Sequence, residues 1–179
     1  MKTMNTLPAR CLLALAFAAV AQPLARAAVQ PVPEIITTDT TYTIALGDSI
    51  GPATPTTGRI VADGARLVIS RAPGIATTNM FAPASFASLA TLSITGTNGG
   101  RVVFQDSHYD ANNISAGFAN IATNFTNLTQ FNVTGVDFLR ISAGGPVEYN
   151  GVGGLFIFNK AGLTSTFTDV LFQDNYSWG

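Results

Sequence analysis

Apolar and polar positions along this chain alternate in short bursts, and several bursts are copies of one another. Over 35–46, Tyr42, Ile44 and Leu46 fall on one side of an extended backbone and Thr41, Thr43 and Ala45 on the other, the period-2 pattern of a half-buried strand. Arg59-Ile60-Val61 and Arg66-Leu67-Val68-Ile69 flank Asp63-Gly64, a tight-turn pair, and predict strand, turn, strand. LATLSITG, beginning at Leu89, then aligns without a gap on LTQFNVTG, beginning at Leu128, an offset of 39 (128 − 89). Each copy ends in Thr-Gly and leads into an apolar strand, Val102-Val103-Phe104 in the first and Val136-Asp137-Phe138 in the second. A looser third copy runs from Leu163 to Phe172, and Phe104, Phe138 and Phe172 follow one another at an offset of 34 (138 − 104 and 172 − 138). Offsets of 34 to 39 predict strand-turn-strand coils joined by loops of unequal length and stacked as an all-β solenoid of a few coils.

Other stretches interrupt that order. Pro31 and Pro33 keep 28–34 extended and unpaired, so 28–75 reads as an N-terminal leader with cap strands and 76–179 as the repeat region. Residues 76–87 show no period and read as a loop with room for one helical turn. Between 113 and 128, Ile114, Phe118, Ile121, Phe125 and Leu128 recur at spacings of 4, 3, 4 and 3, the stripe of an amphipathic helix. The residues between them are largely Asn, Thr, Ser and Gly, which disfavour one. A short helix and an irregular rung both remain open there.

The start of the chain changes where the protein is expected to act. Lys2 and Arg10 precede an apolar run, 11–21, too short to span a bilayer, and Ala25-Arg26-Ala27 is a small-x-small cleavage pattern. Residues 1–27 therefore read as a secretory signal peptide. Its removal would take away Cys11, the sole cysteine, and leave 179 − 27 = 152 residues, enough for one domain. The basic residues fall from nine to six against ten acidic ones, a balance of 6 − 10 = −4. So few cations argue against nucleic-acid binding, which needs clustered Lys or Arg. No transmembrane segment is expected in the mature chain. With 11% charged residues and 17 glycines, the composition favours pleated surfaces and turns over exposed helices.

The C-terminal stretch, 153–179, carries a family resemblance. Gly153-Gly154-Leu155-Phe156, then Phe172-Gln173-Asp174-Asn175 and Trp178-Gly179, resembles the GGA-[ILV] and FxxN repeats of autotransporter and polymorphic outer-membrane passenger proteins. It departs in detail, with Leu155-Phe156 where Ala-Ile is usual and Ser107 where the Phe104 copy should carry Asn. The resemblance implies a right-handed parallel β-helix in which Phe104, Phe138 and Phe172 form an internal column, Asn175 bonds at a coil corner, and Gly153 and Gly154 turn the chain. It also implies a Gram-negative protein exported to the outer-membrane surface or the medium, with the periplasm as a further location. A structural, adhesive, virulence-associated role without enzymatic activity follows, with host-cell or matrix surface ligands as partners and no cofactor. The pattern would begin another coil after Trp178, so a truncated passenger, a gene fragment or a short relative is expected, with self-association through an uncapped C-terminal edge.

The competing chemistry lies in Gly47-Asp48-Ser49-Ile50, which is similar to the first block of the GDSL esterases. That reading makes Ser49 the nucleophile and His108, the single histidine, its base. Against it, Gln105 stands where the family's Asp-x-x-His needs an acid, and the chain lacks the strand-helix alternation of that fold. With one histidine and no mature cysteine, a closed zinc site is not expected either.

Overall fold

The computed structural model describes residues 28–54, 57–82, 89–109, 116–121, 125–144, 155–158 and 160–177. Residues 1–27, Gly153, Gly154, Trp178 and Gly179 lie outside these. The described chain is nearly all β, and every strand pairing in it is parallel.

Successive passes of the chain add one strand each to a small set of ladders. In the first ladder β1 (Val29–Val32) pairs with β4 (Ser49–Pro52), Pro31 included, so 29–32 is a paired strand and not the unpaired leader its prolines suggest. The second runs through β2 (Ile35–Ile36), β5 (Arg59–Asp63) and β8 (Thr91–Thr97). The third runs through β3 (Thr40–Ile44), β6 (Arg66–Arg71) and β9 (Arg101–Tyr109), whose end also takes β7 (Ile75–Ala76). The long β11 (Gln130–Ala143) then serves both ladders, its first half on β8 and its second on β9. Beyond it lie β13 (Thr164–Gln173) and β14 (Tyr176–Ser177), both paired to β11. This agrees with the expected solenoid at the level of parallel, stacked strands. The strands of 35–71 stand in the same ladders as those of the repeat region.

Both predicted offsets are structural registers. Leu92 pairs with Phe131 and Ile94 with Val133, the offset of 39; Phe138 pairs with Phe104 on one side and Phe172 on the other, the offset of 34. Strand alternation sends one set of side chains inward. Leu67, Ile69, Leu92, Ile94, Phe131 and Val133 are all buried in a single apolar interior. Asp63-Gly64 separates β5 from β6, but these two strands pair with the following coil and not with each other, so the turn is a coil corner.

A later corner depends on glycine. A Cβ on Gly100 would overlap the Ala62 carbonyl of the preceding coil, and Gly135, at φ 63°, packs over Gly96 of the coil beneath. Side chains at these points would push the coils apart.

Two stretches that broke the pattern in sequence belong to the first ladder. Within 76–87, Phe81 forms a parallel bridge to Ile50, and its backbone N donates to the Phe118 carbonyl at 2.8 Å. Residues 77–80 are irregular, as a loop would be, while Ala76 ends β7 and Phe81 joins the ladder through that bridge; 83–88 lies outside the described residues. In 113–128, Ala119–Asn120 forms β10, paired with β12 (Phe156–Ile157). Of the expected helix over 113–128, Ile121 is helical, 116–120 and 125–128 are not, and 113–115 and 122–124 lie outside the described residues. Phe118, Ile121, Phe125 and Leu128 all point into the core.

Candidate functional site

The repeat residues converge on a continuous aromatic stack. Phe104 and Phe138 have ring centroids 5.6 Å apart and Phe138 and Phe172 5.4 Å, both stacked. A second column faces it, Phe81, Phe118 and Phe156 from the first ladder. Phe81 stacks on Phe118 at 5.2 Å, and Phe118 meets Phe104 and Phe138 edge-on at 4.6 and 5.0 Å. Edge-to-face and offset pairs of this kind add about 0.5–1.5 kcal/mol each beyond area burial. Sequence reasoning missed the second column; its spacings, 37 and 38, were signal enough only if the 76–87 stretch had been read as a rung.

Polar side chains tie coil to coil. Asn175 accepts from the Ile141 backbone N at 2.8 Å and donates to the Phe138 carbonyl at 2.7 Å, satisfying a corner of the preceding coil. Asp106, Arg140 and Asp174 follow paired positions in three successive coils, and all three adopt left-handed backbone, φ 60°, 52° and 55°. Arg140 clasps Asp106 through Nε to Oδ1 at 2.6 Å and Nη2 to Oδ2 at 3.1 Å. That hydrogen bonding, with the charges of Asp106 and Asp174, raises the Arg140 pKa. Arg101 reaches across three coils, with Nε 2.8 Å from Asp137 Oδ1 and Nη1 2.8 Å from Asp169 Oδ2. The Asp137 hydrogen bond chiefly raises its pKa.

Arg71 is different, because it points inward and is 3% exposed. Its Nη1 donates to the carbonyls of Ala45, Leu46 and Asp48 at 3.1, 2.9 and 3.0 Å, and Nε donates to Ser107 Oγ at 3.1 Å. Nη2 has no partner. Desolvation pushes its pKa down to about 10, with Asp48 and Tyr109 acting the other way, so the guanidinium stays charged at neutral pH.

The two residues of the esterase reading are engaged elsewhere. Ser49 Oγ donates to the Asn79 carbonyl at 2.7 Å, from β4 in the first ladder. His108 lies on β9 in the third and shares a 2.8 Å hydrogen bond with Ser142 Oγ through Nδ1. Among the described residues, no three of His, Cys, Asp and Glu cluster as metal ligands would, and no helix is long and apolar enough to cross a membrane.

Large apolar side chains face solvent at Ile35 and Ile75 and, as a group, on β13 and β14. Phe167, Leu171, Phe172 and Tyr176 are exposed large apolar residues, all on β13 and β14. Among the described residues β13 pairs with β11 alone, so within them its other edge is unpaired. Comparisons with family models, curated proteins and solved structures find no match to this chain.

Proposed function

We propose that the chain is an exported, non-enzymatic solenoid of the right-handed parallel β-helix type, with the structural and adhesive role of an autotransporter passenger at a Gram-negative cell surface. The observation that carries this reading is where the polar groups go. Arg101, Arg140, Asn175 and Ser49 bond from one coil to another, while the aromatic end of the stack is presented to solvent. Such an arrangement supports holding a long surface in shape and offering one apolar end to a ligand on a host cell or matrix. It gives little support to nucleophilic catalysis, since the Ser49 hydroxyl proton is directed at a carbonyl and His108 Nδ1 at a serine. The few cations also leave no basic face for nucleic acid.

The test pairs adhesion with hydrolysis. The purified mature chain is expected to bind immobilised matrix proteins or host cells saturably, and to leave short-chain p-nitrophenyl esters untouched. Ester turnover that disappears in Ser49→Ala would replace this reading with the esterase one. The open edge of β13 supports a second expectation, self-association of the isolated chain. Sedimentation should show species larger than the monomer, shifted toward monomer by Leu171→Lys.

A further inference from the structure

Ala28 is the residue that follows the expected cleavage site at Ala27. Its backbone nitrogen donates to Asp48 Oδ1 at 3.0 Å, and its carbonyl accepts from Ser49 N at 2.9 Å. One residue later β1 begins, with Val29 in register with Ser49. Asp48 is held firmly for this contact. Its backbone N donates to the Ala45 carbonyl at 3.1 Å, and its own carbonyl accepts from Arg71 Nη1 at 3.0 Å and Thr78 Oγ1 at 2.8 Å. Arg71 spends its hydrogen bonds on three carbonyls and Ser107 and acts on the Asp48 carboxylate through charge, so among the described residues Ala28 is the donor seen on that carboxylate.

We propose that the amino group released at Ala28 by removal of residues 1–27 docks as an ammonium on the Asp48 carboxylate and latches β1 onto β4, so that the first coil is held more tightly in the processed chain than in its precursor. This rests on reading 1–27 as a cleaved leader. In the precursor, Ala28 N is an amide with one hydrogen and no charge. Hydrolysis of the Ala27–Ala28 bond places the hydroxyl of water on the Ala27 carbonyl carbon and a hydrogen on the Ala28 nitrogen. The resulting amine takes a proton from solvent at neutral pH, since a free α-amine has a pKa of roughly 7.7–8.0. The donor stays where it was, and a hydrogen bond from a neutral amide to the carboxylate becomes an ammonium–carboxylate ion pair, which adds the attraction of a second charge. Among the described residues β1 pairs with β4 alone, so it is an edge strand with much to gain from one added contact. Export would thus tighten the N-terminal coil only after the leader is gone.

The experiment has two stages. The full-length chain is expressed with its leader in a Gram-negative host, and the exported product is analysed by intact mass and N-terminal sequencing; Ala28 is the expected first residue. The chain beginning at Ala28 is then compared with its N-acetylated form, with Asp48 intact and with Asp48→Asn. Acetylation keeps the N–H donor and removes the charge. It should lower Tm by about 2 °C with Asp48 present and leave it unchanged in Asp48→Asn. Amide exchange across β1 should become several-fold faster on acetylation. That exchange comparison uses the native sequence and decides the matter alone if Asp48→Asn folds poorly. A retained leader, or another first residue, overturns the leader reading and the latch with it. Ala28 as first residue with no response to acetylation overturns the latch alone and leaves export standing.

Discussion

Phe138 and Phe172 occupy the same register position in successive coils, yet they sit in different surroundings. Phe138 has Phe104 stacked on one side and Phe172 on the other and is fully buried. Phe172 has Phe138 beneath it and is 51% exposed. In a stack, what a residue contributes depends on whether a further coil covers it. Arg71 and Arg140 repeat the lesson with charge: one guanidinium is enclosed and fixed by carbonyls, the other clasps Asp106 at the surface.

Substitution at the two phenylalanines should give the largest separation. Phe138→Ala is expected to cost about 3–5 kcal/mol in urea unfolding, as for a fully buried aromatic, and Phe172→Ala about 1–2 kcal/mol. Equal losses would break the comparison by showing that the last coil is as well covered as the one before it. The two arginines come next. Arg71→Met should cost about 2 kcal/mol because it takes one of two donors from each of three part-buried carbonyls, partly offset by relief of a buried charge with an unpartnered Nη2. Asn175→Ala should cost about 1–2 kcal/mol and speed exchange of the Ile141 amide, which loses its acceptor. An Ile141 amide that exchanges at the same rate in that variant would place its protection in the sheet alone. The smallest effect belongs to Arg140→Met, within about 0.5 kcal/mol and fading at high salt, because this pair is solvated.

Hydrogen exchange sharpens the contrast without any substitution. Amides of Val136, Phe138 and Leu139 lie on a strand paired on both sides, whereas among the described residues 171–173 is paired on one side only. Exchange is expected to be fastest in the latter. Monomeric protein with strong protection across 171–175 would contradict both the open edge and the self-association drawn from it.

How much was legible beforehand depended on loop length. Between β11 and the strands that follow it, every paired position keeps the same offset of 34, from Gln130 with Thr164 to Ala143 with Ser177, so Phe104, Phe138, Phe172 and the corner Asn175 stand out in sequence. Where rungs are joined by unequal loops, the same architecture loses its period. Tyr42 pairs with Ile69 at an offset of 27 (69 − 42) and Ile69 with Phe104 at 35 (104 − 69), so 28–75 read as a cap although its strands share the ladders. Phe81 and Phe118 were hidden for the same reason, one in an unpatterned segment and the other inside a helical stripe. Their common direction appears only when β4, 80–82 and 117–118 come together.

By itself, the sequence determined that the chain is built from repeated strands, which phenylalanines share a register, and where glycine must turn the corners, since alternation and fixed spacing are local consequences of backbone geometry. Tertiary structure alone decided that Arg71 turns inward to serve three carbonyls, that Asp106 and Arg140 meet across coils, that a second aromatic column closes on the first, and that Asp48 receives Ala28. Those contacts join residues at least 14 positions apart (118 − 104) through loops of unequal length, and no local pattern encodes the vertical alignment that stacking imposes.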